Sequence, residues 1–322
     1  MFQIFKKRKD LLVIILTSSD TERARRTYDS IINSKKNISI DIEIIVNSLN
    51  KEYIKKVKNE FKKEKLIITE TESNGGGGKG KNSALNHFRN HKKNYDYLMQ
   101  IDGDDFLYPT AFENFEKMLS KSPDIIGLQA SDTLIKNTDK RATVFFENSE
   151  KKENRFLHSI NDSYYLHSWN ELELNLNKKF PKNVFENVSE QQPPDRNIFL
   201  SSNIIKNEKN LMLPEDIQKF TDYVFSTRLY EKALNKGYSY AHFSNSQCYI
   251  YDRTNENAVS STYEKFNQSR TFFDEKFPQL IEDSVRRCGY KIDFKIIPHF
   301  QIGFLDTMKT NDKIDFIKKN II

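Results

Sequence analysis

Six consecutive apolar residues, Leu11-Leu12-Val13-Ile14-Ile15-Leu16, leave a strand no polar face to turn toward water. Such a run must be covered on both sides, the pattern of a strand inside a parallel sheet. It is too short for a signal-peptide core or a membrane span, although the stretch before it, Met1 to Asp10, is basic. Further apolar runs follow at Ile38–Val46, Leu66–Ile68 and Tyr97–Ile101. Between them lie helical patterns: Ala24, Tyr28, Ile31 and Ile32, then Ile54, Val57 and Phe61, then Ala84, Leu85 and Phe88. Ser19-Asp20-Thr21-Glu22 has the form of a capping box with Ser19 at the cap. Regular alternation of strand and helix predicts an α/β layered sheet. Ligands of such sheets bind beyond the carboxyl ends of the strands.

Beyond Pro109 a helix is expected through Ala111, Phe115 and Met118, then a strand over Ile125–Ala130. The pattern loosens from Thr133 to Asn197, punctuated by Pro181, Pro193 and Pro194. Ile198–Ile205 is strand-like, and Pro214 opens a helix through Ile217, Phe220, Val224 and Phe225 that closes near Gly237. A last apolar segment surrounds Phe294–Phe304. The chain has 322 residues, enough for one large domain or a domain with an extension. Its net charge of +6 is spread over Lys/Asn-rich helices, a solvated surface. No clustered Arg/aromatic surface argues for nucleic acid. Cys248 and Cys288 are too few for a disulfide framework and lack metal-ligand spacing, so a reducing, cytoplasmic setting is expected, with any membrane contact peripheral.

Three segments carry chemistry. Tyr97–Ile101 runs into Asp102-Gly103-Asp104-Asp105, which sets carboxylates at a strand's carboxyl end. Asp102 and Asp104 are two apart and in extended backbone point the same way. Mg²⁺ and Mn²⁺ prefer oxygen ligands and share their shell with substrate phosphate, so one or two carboxylates suffice. The same residues also suit a polar turn. Next, Gly75 to Gly80 holds five glycines in six positions, flanked by Lys79 and Lys81. A backbone this bare can approach a phosphate closely, or simply form a surface loop. It matches neither the Walker nor the dinucleotide pattern. A helix opening at Asn82-Ser83 would suit an anion. Third, Asp222 lies well inside the helix predicted from Pro214, where capping does not explain it. Such an acid is either a surface residue or a group aimed into a site.

In combination these segments resemble the inverting family-2 glycosyltransferases of the GT-A fold, over roughly Leu11 to Ser260. The first strand and loop correspond to Val13 through Thr17, and the second strand, "EIIVVDDGS" in the family, to Glu43-Ile44-Ile45-Val46-Asn47-Ser48. The family's "GGKxxALN" is echoed by Gly80-Lys81-Asn82-Ser83-Ala84-Leu85-Asn86, and its "LDxDD" by Ile101-Asp102-Gly103-Asp104-Asp105. "EDxxxxxRL" aligns with Thr221-Asp222 through Arg228-Leu229, and a closing "YRxHxxSxS" is similar to Tyr251 through Ser260. Departures are Asn47 where the family reads the base with Asp, Thr221 for the Glu, and Asn255 for the His that completes the metal shell. His242, close to that stretch, reads as a strand residue.

The resemblance implies a GT-A mixed sheet flanked by helices, over residues 1–262, with 263–322 as an extension packed on it. Residues 133–197, which include Tyr164, Tyr165, His167 and the single tryptophan Trp169, occupy the acceptor side. It implies sugar transfer from a nucleoside-diphosphate sugar, a UDP-sugar first, to a glycan, lipid-linked or protein acceptor. A divalent Mn²⁺ or Mg²⁺ would sit on Asp104, with Asp102 and Asn255. Thr17, Asn47, Lys81 and Asp102 would contact the donor, and Asp222 would serve as general base. Alternatives are a catalytically degenerate GT-A fold that binds nucleotide or glycan, and a sugar-phosphate nucleotidyltransferase. The second places its glycine-rich loop directly after the first strand, where this chain has none.

Overall fold

The first strand, β1 (Asp10–Thr17), is buried along its whole apolar run. Its residues divide alternately between two cores. Leu11, Val13 and Ile15 face α1 (Thr21–Ser34), α2 (Lys51–Glu60) and α4 (Ala111–Leu119), meeting Ile31, Val57, Phe112 and Phe115. Leu12, Ile14 and Leu16 face α3 (Gly77–Arg89), α5 (Ser202–Asn207) and α6 (Thr221–Lys236), meeting Leu85, Ile204 and Leu229. Period-two side chains on a strand sandwiched between helix layers require this division. Each fully buried Leu or Ile contributes roughly 1.5–3 kcal/mol. The computed structural model describes residues 10–34, 37–71, 73, 75–128, 132–138, 155–169, 197–215, 221–243, 248–255, 299–301 and 308–321.

The remaining strands are β2 (Ser39–Val46), β3 (Ile67–Glu70), β4 (Tyr97–Asp102), β5 (Phe106–Leu107), β6 (Ile125–Leu128), β7 (Asp132–Lys136), β8 (Arg155–Ser159), β9 (Tyr164–Trp169), β10 (Asn197–Ser201), β11 (Tyr240–Phe243), β12 (Tyr249–Asp252) and β13 (His299–Gln301). The larger sheet has the order β13-β11-β6-β10-β4-β1-β2-β3. β1 is parallel to β2 and β4, and β10 is antiparallel to both β4 and β6. A smaller sheet has the order β5-β12-β7-β9-β8. Mixed sheets flanked by helices agree with the fold class expected from the sequence.

The acidic turn 102–105 is the hinge between the two sheets, because β4 belongs to the larger and β5 to the smaller. β12 pairs with β5, Ile250 opposite Phe106, and so returns Asp252 and the residues after it to that turn. The final helix, α7 (Thr310–Ile321), buries Ile317 against Phe106, Tyr108 and Leu134 beneath the smaller sheet. Lys313 Nζ lies 2.9 Å from Asp132 Oδ2, the oxygen that also accepts from Tyr108, 2.7 Å away.

Several boundaries differ from the sequence expectation. Asp20, not Ser19, caps α1: its Oδ1 accepts from Arg23 N at 3.1 Å. The stretch Ile198–Ile205 is strand only to Ser201, whose hydroxyl then accepts from Ile204 N and starts α5. α3 begins at Gly77 rather than at Asn82, so most of the glycine run is the first turns of a helix. Pro214 and Glu215 are irregular chain, and residues 216–220, including Ile217 and Phe220, lie outside the described residues. Cys248 is buried with Asn114 Nδ2 3.5 Å from its sulfur, whereas Cys288 lies outside the description.

Candidate active site

The end of β1 supplies the floor. Gly103 N donates to the Leu16 carbonyl at 2.6 Å, and Asn47 N donates to the Thr17 carbonyl at 2.7 Å. The ends of β1, β2 and β4 are thereby tied together. A Cβ on Gly103 would stand 2.8 Å from Leu16 O, so the acidic turn can lie this close only with glycine there. Thr17 Oγ1 is hydrogen-bonded to Tyr53 Oη, and that phenol is pushed up to about 12, chiefly by burial.

Asn47 is buried, and both ends of its amide are engaged. Nδ2 donates to Gly76 O at 3.0 Å, and Oδ1 accepts from Thr71 Oγ1 at 2.9 Å. A carboxylate in its place would have no hydrogen for Gly76 O. Asn47 therefore anchors the glycine segment to the ends of β2 and β3. The glycines answer to the same crowding. A Cβ on Gly80 would lie 2.7 Å from Asn47 Nδ2, and one on Gly78 only 2.0 Å from Pro214 O. Bare backbone here admits neighbouring chain. Asn82 locks the Pro214 segment further, bonding Leu213 N and O and the Glu215 carboxylate at 2.8–3.0 Å.

The carboxylates of the turn have separate environments. Asp102 is 42% exposed, with Lys81 Nζ 3.7 Å from its Oδ2. Asp104 is partly buried and its carboxyl is pushed up to about 6, first by desolvation, then by the charges of Asp102 and Asp252. Asn255 Nδ2 lies 3.5 Å from Asp104 Oδ2 and opposes that shift. Asp105 is fully enclosed: Tyr249 Oη donates to Oδ2, Asp252 N to Oδ1 at 2.9 Å, and Thr27 Oγ1 to its carbonyl at 2.6 Å. Burial drives its carboxyl well above the usual carboxylate range. Asp105 is a joint between the sheets and α1.

Behind the turn sits a group that the sequence alone did not single out. Asp252 is buried and receives Arg23 Nη1 at 2.6 Å, Arg26 Nη2, and Thr254 N and Oγ1 at 2.8 and 2.7 Å. Arg26 Nη2 also donates to Asp104 O at 2.8 Å, and its guanidinium lies 4.7 Å from the Phe106 ring centre. Arg23 and Arg26 share a face of α1 at i,i+3 spacing, the one local signal available.

The structure gathers Thr17, Asn47, Lys81, Asp102, Asp104 and Asn255 around these strand ends. Asp222 lies in the first turn of α6 beside buried Thr221. A Cβ on Gly77 would stand 3.8 Å from Thr221 Oγ1, so the N-termini of α3 and α6 adjoin. A first-turn carboxylate is favoured by the helix dipole, and depth within a helix no longer distinguishes Asp222. His242 lies in β11, opposite Gly127 and Gln301.

No protein-family model matches the chain, and no curated protein matches it in sequence. Solved structures do share its architecture. The crystal structure of S. aureus TarS 1-349 in complex with UDP-GlcNAc superposes with a TM-score of 0.50 at 13% identity, over 89% of this chain and 77% of that one. The chain has a GT-A fold. A mannosyltransferase from Pyrobaculum calidifontis, PcManGT, in complex with GDP-Man and Mn²⁺, gives 0.47 at 10% identity, over 90% of this chain and 78% of that one.

Proposed function

We propose that this GT-A chain is a metal-dependent, inverting glycosyltransferase that moves a sugar from a nucleoside-diphosphate donor to an acceptor hydroxyl. The observation that carries the reading is the convergence of Asp102, Asp104, Lys81 and Asn255 where β1 and β4 end. Two carboxylates are the hard donors that Mn²⁺ and Mg²⁺ prefer, and Asn255 would add its amide oxygen once its amide turns over from the present Nδ2 contact with Asp104. Asp104 is partly buried, and its carboxyl is raised to about 6 first by desolvation and then by the negative charges of Asp102 and Asp252, a setting that a cation would relieve, so the residues fit the ion.

Asp104 would hold the cation, with Asn255 beside it, and Asp102 would hold the donor ribose or a cation-bound water. When bound, the cation neutralises the departing diphosphate. Lys81 adds positive charge on the same side. Thr17 and Asn47, each engaged with neighbours, would shape the nucleotide pocket more than grip the base through free side-chain groups. Asp222 accepts the proton of the acceptor hydroxyl as general base, a contribution of roughly 10²–10⁴-fold. One base and one leaving diphosphate amount to a single displacement with inversion. The smaller sheet, which carries residues 132–136 and 155–169, lies beside the acidic turn and is the candidate acceptor side.

A thermal-shift screen of UDP-, GDP-, CMP- and dTDP-sugars, each with and without Mn²⁺, tests the reading. The TarS complex makes a UDP-sugar the first donor to try. A Mn²⁺-dependent shift with one nucleotide is expected, and no such shift with any would overturn the proposal. Donor hydrolysis by the purified chain then separates a transferase from a nucleotide-binding fold without activity.

A further inference from the structure

The far end of α3 holds a second cluster, unrelated to the acidic turn. His87, in the last turn of that helix, and His91, just past its C-cap Asn90, meet Glu43 of β2. His87 Nε2 is 2.5 Å from Glu43 Oε2, and His91 Nε2 is 2.9 Å from Oε1. One ligand atom from each of the three lies within 4.8 Å of the others. Glu43 shares the face of β2 that carries Ile45 toward α3, and its side chain is 5% exposed. A carboxylate is costly in such a place unless strongly paired.

We propose that Glu43, His87 and His91 bind a transition-metal dication of the zinc class, separately from any cation at Asp104. Two imidazoles and one carboxylate are a donor set for Zn²⁺, Co²⁺ or Ni²⁺, and not for the all-oxygen preference of Mg²⁺. His87 closes α3 and His91 follows its cap, where the bond from His91 N to Phe88 O at 3.3 Å turns the chain so that both rings reach Glu43. Tetrahedral zinc with bonds near 2.0–2.1 Å sets its donors about 3.3 Å apart. On that basis the two Glu43–histidine contacts lengthen by less than about 1 Å, and the widest separation, within 4.8 Å, closes by at most about 1.5 Å. The cation would take the place of the hydrogen in each N···O contact, with each neutral ring keeping its one proton on Nδ1.

Outer contacts suit the role. A ring that ligates through Nε2 carries its proton on Nδ1 and needs an acceptor there. His91 Nδ1 is 3.2 Å from Lys93 O and 3.0 Å from Lys93 N, so the same loop serves the ring with or without metal. Tyr95 packs against His91 with ring centroids 5.0 Å apart and planes tilted by 59°, and is itself tied to Asp41 through its hydroxyl, 2.8 Å away. Exposure rises from 5% at Glu43 to 12% at His91 and 24% at His87, which gives an entry path and room for a water ligand. Lys81, the α3 residue that meets Asp102, is six residues from His87, about 9 Å along the helix axis. The metal would fasten the C-terminal end of α3 to β2.

The test uses the full chain stripped of metal, titrated with Zn²⁺ in a calorimeter and with Co²⁺ in visible absorption. One site is expected, with intense d–d bands of nitrogen-ligated cobalt of low coordination number. Saturating Zn²⁺ at a hundredfold over Kd raises Tm by about 5 °C. His87→Gln keeps a hydrogen-bond donor for Glu43 and should fold with little change. It should still lose Zn²⁺ affinity by at least about 100-fold, since loss of even an outer-shell partner costs 10–100-fold. His91→Ala should lose as much, and Asp104→Asn should leave the affinity intact. Absence of Zn²⁺ binding, or binding abolished by Asp104→Asn and unaltered in both histidine variants, would overturn the proposal without touching the transferase reading.

Discussion

Arg26 donates one guanidinium hydrogen to the main-chain oxygen of Asp104, 2.8 Å away, while the same nitrogen bonds the buried carboxylate of Asp252. The backbone of the acidic turn is thus suspended from α1 through a charge that Asp252 fixes. Losing one partner of a buried pair costs about 3–5 kcal/mol, but Arg23 stays on Asp252. Arg26→Ala should therefore destabilise by about 2 kcal/mol, seen as a lower denaturant midpoint at unchanged m-value. Arg26→Lys should recover only part of this, because an ammonium can donate to the two oxygens but lacks the planar guanidinium that lies on Phe106. Equal midpoints for all three proteins would remove Arg26 from the support of the turn.

Asp104 gives the metal-free protein a pH dependence of defined sign. Its carboxyl is raised from 3.8 to about 6 by desolvation, Asp102 and Asp252, so the folded chain holds this proton more tightly than the unfolded chain does. The resulting stability is complete below about pH 4 and is lost as pH rises through about 6. With partial exposure the change is on the order of 2 kcal/mol. The stability difference between wild type and Asp104→Asn, measured from pH 4 to 7 in chelator, should shift by that amount in favour of Asn. Mn²⁺ should restore wild type above pH 6 and leave the variant unmoved.

The extent to which this site can be read from sequence depends on how local its causes are. The run Leu11–Leu16 announces β1 because both faces must be apolar, and Asp102–Asp105 announces the turn because acids end a buried strand. The start of α3 is hidden, since glycine disfavours helix and its reason for being there is Pro214 O beside Gly78. Ile198–Ile205 merges β10 and α5 because both are apolar, and only Ser201 marks the cap between them. Asp252 gains meaning from Arg23 and Arg26, more than two hundred residues earlier, a pairing no local window contains. His87 and His91 display their spacing openly, but Glu43 joins them only through the packing of α3 on β2.

Asp222→Asn separates chemistry from binding. The side chain keeps its size and its place in the first turn of α6, yet can no longer accept a proton. Transfer should fall by roughly 10²–10⁴-fold, with the Mn²⁺-dependent Kd for the donor within a few-fold of wild type. A donor Kd that rises in step with the loss of rate would assign Asp222 to donor binding instead.

Asn47→Asp asks whether this position reads a nucleobase or holds the glycine segment. The substitution restores the residue the family resemblance expects, so a base-reading role predicts tighter uridine binding. The geometry predicts the opposite. Nδ2 now donates to Gly76 O at 3.0 Å, and an Asp oxygen there would face the carbonyl with no hydrogen between them. A lost buried hydrogen bond with a stranded acceptor costs about 1–3 kcal/mol, more where a charge is introduced. The variant should therefore unfold at lower denaturant and exchange its Gly75–Lys81 amides faster. Donor affinity should fall with it, because the start of α3 carries Lys81 toward Asp102. An Asn47→Asp protein of unchanged stability that binds a UDP-sugar more tightly would return this position to base recognition.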